Sequence, residues 1–191
     1  VLVVYKDKII AEKYEPGFSK KSKILGWSMT KSITATMFGI LQKQSKIDIY
    51  KPAPIAEWKN DRRAKITTND LLHMNSGLQW NEDYATISDA TKMLFLAKDM
   101  TSVQRHKPAI YEPNTHWNYS SGTSNLLSGI LRQQFKTHQE YLDFWYAELI
   151  DKIGMHSMFI ETDMSGNYVG SSYGWATTRD WAKFGLLYLH K

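Results

Sequence analysis

The stretch that decides the fold is Gly26-Trp-Ser-Met-Thr-Lys-Ser32, which opens an amphipathic segment running to residue 43. Apolar side chains recur along this segment at a spacing of three to four residues. They are Met29, Ile33, Met37, Ile40 and Leu41. Because this spacing puts them on one side of a 3.6-residue turn, it predicts a helix over residues 28–43 that begins at Ser28.

Lys31 is unusual at the start of such a helix. If Ser28 is an N-cap, the position three residues later favours Glu or Gln, and a cation there faces the positive end of the helix dipole. Residues three apart share a helix face, so the Ser28 hydroxyl and the Lys31 amine can meet. Burial would lower the pKa of that amine and place a base beside a nucleophile. The alternative is an ordinary helix capped by Ser28, and a single Ser-x-x-Lys does not decide between the two.

The rest of the chain predicts a helix-rich protein with a small sheet component. Two β-rich runs at residues 1–5 and 9–14 predict a hairpin. Helices are predicted over five further segments: 67–73 with Thr67 as N-cap, 88–98, 123–135, 139–150, and 180–191. A short strand is predicted near 168–173, and 103–121 is predicted to be a long irregular loop.

Composition and motif content exclude several classes of function. The chain has no cysteine, which excludes disulfides and thiolate metal sites. A net charge of +5 is mild for 191 residues, and the basic side chains lack an interleaved aromatic stripe, so nucleic-acid binding is not expected. The sequence has no glycine-rich phosphate loop and no metal-ligand spacing. We therefore expect no cofactor and no metal, and the longest apolar run, Val1–Tyr5, is too short to span a membrane.

Four segments, in order along the chain, resemble motifs of the serine β-lactamase and penicillin-binding-protein superfamily. The resemblance is nearest to the branch of class C β-lactamases, carboxylesterases and 6-aminohexanoate-dimer hydrolases. The segments are Gly26-Trp-Ser-Met-Thr-Lys-Ser32, Asp70-Leu-Leu-His-Met-Asn-Ser-Gly-Leu78, Trp117-Asn-Tyr-Ser-Ser-Gly122 and Gly170-Ser-Ser-Tyr-Gly-Trp-Ala-Thr-Thr-Arg-Asp-Trp-Ala-Lys-Phe-Gly185. The resemblance implies an α/β (α+β) fold of the β-lactamase/transpeptidase type, an antiparallel sheet with flanking helices and a helical region.

The resemblance also implies roles for individual residues. Ser28 is expected to be the nucleophile, Lys31 its base, and Tyr119 the group that assists proton transfer. Four further side chains are expected to contact substrate: Ser121, Trp117, Tyr173 and Trp175. For the aromatic residues, packing in the protein interior is the alternative.

Two departures from the family pattern bear on the activity. Ser121 stands where the Tyr-x-Asn motif of β-lactamases has asparagine, which favours an esterase or amide hydrolase. The family's third motif, Lys-Thr-Gly or His-x-Gly, is absent. We expect a serine hydrolase that cleaves a small-molecule amide or ester through an acyl-enzyme. The alternatives are a β-lactamase or DD-peptidase, and a non-catalytic member of the fold that binds peptide or cell-wall ligands.

The chain is expected to be a single incomplete domain spanning residues 1–191. Residues 1–50 would form the hairpin and nucleophile helix, 51–165 a mostly helical region, and 166–191 the return to the sheet. The third motif and the remaining sheet strands are expected in a C-terminal companion segment. The sequence itself does not identify a compartment, and the resemblance favours a periplasmic or secreted location.

Overall fold

The computed structural model describes residues 1–190, which form two small antiparallel sheets and seven α-helices. The strands are β1 (Leu2–Tyr5), β2 (Lys8–Glu12), β3 (Lys23–Leu25), β4 (Phe159–Ile160) and β5 (Gly174–Thr177). The helices are α1 (Thr30–Lys43), α2 (Thr68–Leu72), α3 (Asp89–Leu96), α4 (Met100–Arg105), α5 (Ser121–Arg132), α6 (His138–Trp145) and α7 (Thr178–Leu189). Lys191, the last residue of the predicted final helix, lies outside the described residues.

The predicted hairpin is confirmed, and its turn explains the register. β1 and β2 pair antiparallel, with Tyr5 opposite Lys8. Lys6 and Asp7 between them both have positive φ, 47° and 63°. Two left-handed residues in a two-residue loop match the right-handed twist of the flanking strands.

A second sheet, not fully anticipated, has the strand order β3-β5-β4. The strand expected near 168–173 is wrong in position, because β5 begins at Gly174, opposite Ile160, and Tyr168 forms an isolated bridge with Thr162. Strand β3 has three residues and was not predicted from sequence. Strand β3 forms because it pairs with β5, and three residues are too few to show the alternation of apolar and polar side chains that marks a strand.

Helix boundaries follow side-chain caps. The side chains of Thr67 and Ser88 each accept a hydrogen bond from the backbone N–H of the third residue of the helix that follows. Each cap residue donates its own backbone N–H to the side chain of that third residue, which confirms the predicted starts of α2 and α3. The loop expected over 103–121 is wrong in its first part, since α4 extends to Arg105 with Asp99 as its N-cap. The helix predicted at 139–150 ends at Trp145 and continues as a π-helical turn over Tyr146–Ile150.

The core lies between α1 and α5. The inner face of α1 is fully buried at Ile33, Met37, Phe38 and Leu41. It meets the buried leucine and isoleucine face of α5, which also contacts α2, α3, α4 and α6. Each such side chain contributes roughly 1.5–3 kcal/mol by leaving water. The packing therefore holds the first turn of α1 in a defined place against the N-terminus of α5.

None of the helices in residues 1–190 combines the length and the apolar character needed to cross a lipid bilayer.

Gly26, at the end of β3, is required by close packing against α7. A Cβ atom built there would lie 2.2 Å from Cζ2 of Trp181. Gly26→Ala should therefore lower the free energy of unfolding by about 1–3 kcal/mol, because the indole cannot yield without disturbing its neighbours. The measurement is equilibrium denaturation in urea.

Gly39→Ala is the matched control for this substitution. Gly39 lies inside α1 and has no atom within 4 Å of a Cβ built there. The change should stabilise the helix by about 0.5–1 kcal/mol, as expected for replacing an exposed helical glycine. Equal effects of the two substitutions would contradict this account of Gly26.

Candidate active site

Ser28 lies in a short 3₁₀ turn, Trp27–Met29, that precedes α1 and leaves its side chain exposed. The residue before it, Trp27, has a φ of 46°, which is rare for a bulky side chain and costs on the order of 1–3 kcal/mol. Pairing of Gly26 N–H with the Gly174 carbonyl at 2.7 Å holds the turn against β5. The surrounding sheet thus maintains a strained backbone directly beside the serine.

The Ser28 hydroxyl does not cap the helix, so the expectation that the helix begins at Ser28 is wrong by two residues. The first α-helical residue is Thr30, and its N-cap Met29 provides no side-chain bond. Ser28 Oγ instead accepts a hydrogen bond from Lys31 Nζ at 3.1 Å. The structure therefore joins the two groups whose spacing suggested a nucleophile and a base.

The amine of Lys31 is surrounded by oxygen atoms from three parts of the chain. Besides Ser28, Nζ donates to Ser121 Oγ at 3.0 Å and to the carbonyl of Ser171 at 2.9 Å. Three acceptors match the three N–H bonds of an ammonium group. In the neutral amine one of the hydroxyls can donate to the nitrogen lone pair instead, which is the arrangement needed to remove a proton from Ser28.

Burial controls the charge of this amine. It lowers the pKa of Lys31 from 10.5 to about 8, and the negative charge of Glu82 opposes part of that shift. At pH 7 about a tenth of the molecules then carry the neutral amine, against fewer than about one in a thousand for an ordinary lysine.

Tyr119 faces the same amine with its ring. Lys31 Nζ lies 4.9 Å from the ring centroid, within cation–π range. In residues 1–190 the Tyr119 hydroxyl has no hydrogen bond to Ser28 or Lys31. The ring of Trp117 packs against Tyr119 with centroids 6.2 Å apart and is 65% exposed.

Glu82 is a site residue that sequence reasoning missed. Its carboxylate receives hydrogen bonds from four donors: the Ser121 N–H at 2.8 Å, the Ser121 hydroxyl, the Trp80 indole N–H and the Tyr84 hydroxyl at 2.6 Å. Burial, with the bond to Glu82, raises the pKa of Tyr84 to about 12, so this phenol stays a donor. The only sequence signal was a carboxylate between two aromatic residues, Trp80 and Tyr84, and nothing there indicates a partner 39 positions away.

The other two aromatic candidates lie beyond this group. Tyr173 meets Trp27 edge to face, with centroids 6.4 Å apart. Trp175 donates its indole N–H to Glu161 at 2.6 Å. In the described part of the chain, neither residue nor Trp117 lines the cavity beside Ser28. A substrate contact for these three residues stays a prediction.

A cavity of about 280 Å³ opens beside the serine. Ser28, Lys31 and Tyr119 line it, with apolar walls from Leu72, Met74 and Leu127. Four larger surface cavities, of about 320 to 540 Å³, have no serine among their described lining residues, and Thr178 is the one hydroxyl-bearing Ser or Thr that lines any of the four. No group of three or more His, Asp or Glu side chains within residues 1–190 is arranged to hold a metal ion. Among these cavities, the one beside Ser28 is the one that places a serine hydroxyl next to a lysine amine.

Comparisons with known proteins agree with the predicted resemblance. A protein-family model described as beta-lactamase matches residues 1–190. A candidate 6-aminohexanoate-dimer hydrolase from Bacillus anthracis superposes with a TM-score of 0.82 at 22% identity, covering 99% of this chain and 53% of that one. A D-amino acid amidase from Ochrobactrum anthropi SV3 superposes with a TM-score of 0.66 at 20% identity, covering 87% of this chain and 55% of that one.

A penicillin binding protein from Bacillus halodurans also superposes, with a TM-score of 0.68 at 14% identity, covering 90% of this chain and 62% of that one. No curated protein sequence matches. The superpositions confirm the predicted β-lactamase/transpeptidase-like α+β fold. The chain spans between 53% and 62% of the length of these three structures.

The charge of Lys31 can be tested without any substrate. The ¹³Cε resonance of Lys31, assigned by its loss in Lys31→Arg, should titrate with a midpoint near pH 8, because burial disfavours the ammonium. A Lys31 midpoint at the ordinary lysine value of about 10.4 would contradict the burial effect.

Proposed function

This chain belongs to the beta-lactamase family, and we propose that it is a serine hydrolase that cleaves an ester or amide bond through an acyl-enzyme intermediate. The observation that carries the proposal is the 3.1 Å contact between Ser28 Oγ and the buried amine of Lys31. A hydroxyl is a weak nucleophile at neutral pH, and an adjacent base of lowered pKa is the usual means of activating it. Ser28 and Lys31 supply this pair at the mouth of a cavity.

In the proposed first step, neutral Lys31 accepts the Ser28 proton while Ser28 Oγ bonds to the substrate carbonyl carbon. The carbonyl π electrons move to its oxygen and form a tetrahedral oxyanion. The Ser28 N–H, which has no acceptor among residues 1–190, is the proposed donor to this oxygen. A second donor would come from the third motif that the family pattern implies, carried by the proposed companion segment.

In the second step the carbonyl re-forms, the bond to the leaving group breaks, and the leaving oxygen or nitrogen takes up a proton. Tyr119 is the proposed carrier of that proton from Lys31, since its ring lies 4.9 Å from Nζ and it lines the cavity. Water then hydrolyses the Ser28 ester with the same groups acting in reverse. No cofactor is required.

The proposed substrates are short esters and linear amides. Ser121 offers a hydroxyl where β-lactamases of this family present an asparagine, and that hydroxyl already bonds Lys31 and Glu82. Among the matched proteins, one is named as a hydrolase of the 6-aminohexanoate dimer and another as a D-amino acid amidase. Trp117 and Tyr173 are proposed to flank an apolar chain of the substrate, and Trp175 to do so less directly because its indole N–H is bonded to Glu161.

Covalent labelling tests the nucleophile. A fluorophosphonate probe should modify the protein once, and peptide mass spectrometry should find the adduct on Ser28, because this serine is exposed and bonds the buried amine of Lys31. Ser121 also bonds that amine, but it is fully buried and donates its proton to Glu82. Ser32, exposed one turn along the same helix, is the internal control and should stay unmodified. An adduct on another serine, or no adduct at all, would contradict the proposed hydrolase and favour a ligand-binding member of the fold.

Substrate ranking tests the proposed class. A p-nitrophenyl acyl ester should be turned over with a higher kcat/KM than a chromogenic cephalosporin, because Ser121 lacks the amide group that asparagine would offer a β-lactam. Ser121→Asn should reduce the difference in kcat/KM between the ester and the cephalosporin. A cephalosporin preference in the wild-type protein would overturn the ranking and favour a β-lactamase.

A further inference from the structure

Glu82 lies on a loop that the rest of the protein holds firmly against the site. The loop is tied at Gln79, whose N–H donates to the Pro108 carbonyl at 2.9 Å, and at Asn81, whose N–H donates to Asp89 at 3.0 Å. Between them, the Trp80 carbonyl accepts a hydrogen bond from Asn118 at 3.1 Å. The Glu82 carboxylate is half-buried and held in a fixed position, so it can orient the groups that bond to it.

The direction of the hydrogen bonds around Ser121 follows from the chemistry of the groups. An ionised carboxylate can only accept, so the Ser121 hydroxyl donates its single proton to Glu82. The Ser121 oxygen is then left with lone pairs, and one of these accepts from Lys31 Nζ at 3.0 Å. The bonds therefore run in one direction, from Lys31 through Ser121 to Glu82.

We propose that Glu82 is a positioning residue that, acting through Ser121, orients the Lys31 amine and provides the counter-charge for the ammonium that forms when Ser28 loses its proton. The proposal rests on the function proposed above for Ser28 and Lys31. In that step an O–H bond of Ser28 breaks and an N–H bond of Lys31 forms, while Glu82 keeps its negative charge throughout. The proton later leaves Lys31 for the leaving group, so Glu82 neither gains nor loses one.

Burial and the charge of Glu82 have opposite effects on the pKa of Lys31, and this opposition gives Glu82 its role. Burial alone makes Lys31 neutral and also makes it a poor proton acceptor, because the ammonium loses its hydration. The charge of Glu82 offsets part of that cost and raises the pKa of Lys31 relative to burial alone. A base whose pKa stays near the working pH is the most effective one.

The other titratable and charged groups around the amine do not replace Glu82. Tyr84, on the same loop as Glu82, contacts Ser121 Oγ at 3.2 Å, and Tyr119, ahead of α5, presents its ring to the amine. The segment before β5 contributes the uncharged carbonyl of Ser171. On α1 itself the other charged residue is Lys43, twelve residues and about 18 Å further along the axis.

Glu82→Gln tests the proposal, since it keeps the shape and removes the charge. The rate constant for fluorophosphonate labelling of Ser28 is measured against pH, together with the ¹³Cε titration of Lys31. Without the Glu82 carboxylate the Lys31 ammonium is less stable. The pH midpoint of the labelling rate constant and the pH midpoint of the Lys31 resonance should therefore both move down by about one pH unit. The labelling rate at its plateau should fall about 10-fold, as a less basic and less oriented amine is a weaker general base. Glu82→Asp, which keeps the charge, should keep the midpoints near the wild-type values.

Asp83→Asn is the matched control, because it removes a negative charge from the neighbouring position. Asp83 is exposed, and its carboxylate bonds Ala85 and Thr86 within its own loop. Both midpoints should stay unchanged in this variant. Ser121→Ala should reproduce the plateau loss of Glu82→Gln, and the double substitution should cost no more than either single one.

Two results would overturn the proposal. One is a labelling rate constant that is lower in Glu82→Gln at every pH while its pH midpoint stays at the wild-type value, as a purely structural role predicts. The other is fully additive losses in the double variant. Because a midpoint does not depend on the fraction of folded protein, and the Lys31 resonance needs no activity, a partly unfolded variant still gives an answer. Wild-type protein labelled at Ser28 with no effect of Glu82→Gln rejects this inference alone, whereas absence of labelling at Ser28 rejects the proposed function itself.

Discussion

The burial of one amine, Lys31 Nζ, is the constraint on which the rest of the site depends. Its acceptors come from the 3₁₀ turn that precedes α1, from the start of α5 and from the segment that leads into β5. Two more bonds tie α1 to that last segment: Thr34 donates to the Gly170 carbonyl at 2.9 Å, and the Gly174 N–H donates to Thr30 at 3.1 Å. The sheet, α1 and α5 therefore converge on the amine, and each loses a polar partner if it shifts.

The geometry also explains why local rules are broken beside Ser28. A bulky residue in the left-handed region, Trp27, and a cation in the first turn of α1 are both unfavourable by themselves. Packing of Gly26 under Trp181 and the pairing of β3 with β5 compensate for them. The stability of the surrounding sheet and helices thus maintains a serine and a lysine in positions that neither would adopt in an isolated helix.

Sequence reasoning succeeded where the physical signal is local. The buried face of α1 is readable from the spacing of its apolar residues and the N-cap Thr67 from its residue type, and the motif segments indicated the fold. It failed where a short element depends on a distant partner: β3 forms only by pairing with β5, and α4 carries too few residues to show a period. Ser28 and Lys31 could be paired by their spacing, whereas Glu82 joins them through Ser121, a contact that no pattern in the chain encodes.

The central claim is that the Ser28 proton passes to the buried amine of Lys31. The most direct test is the rate of Ser28 acylation by a p-nitrophenyl ester, measured by stopped flow between pH 6 and 10 in the wild-type protein and in Lys31→Arg. The account predicts a wild-type rate that rises with pH through a midpoint near 8. In Lys31→Arg, whose guanidinium cannot be deprotonated, the rate should fall by about 10²-fold or more and should not recover at high pH. A variant that retains the wild-type rate and midpoint would contradict the account.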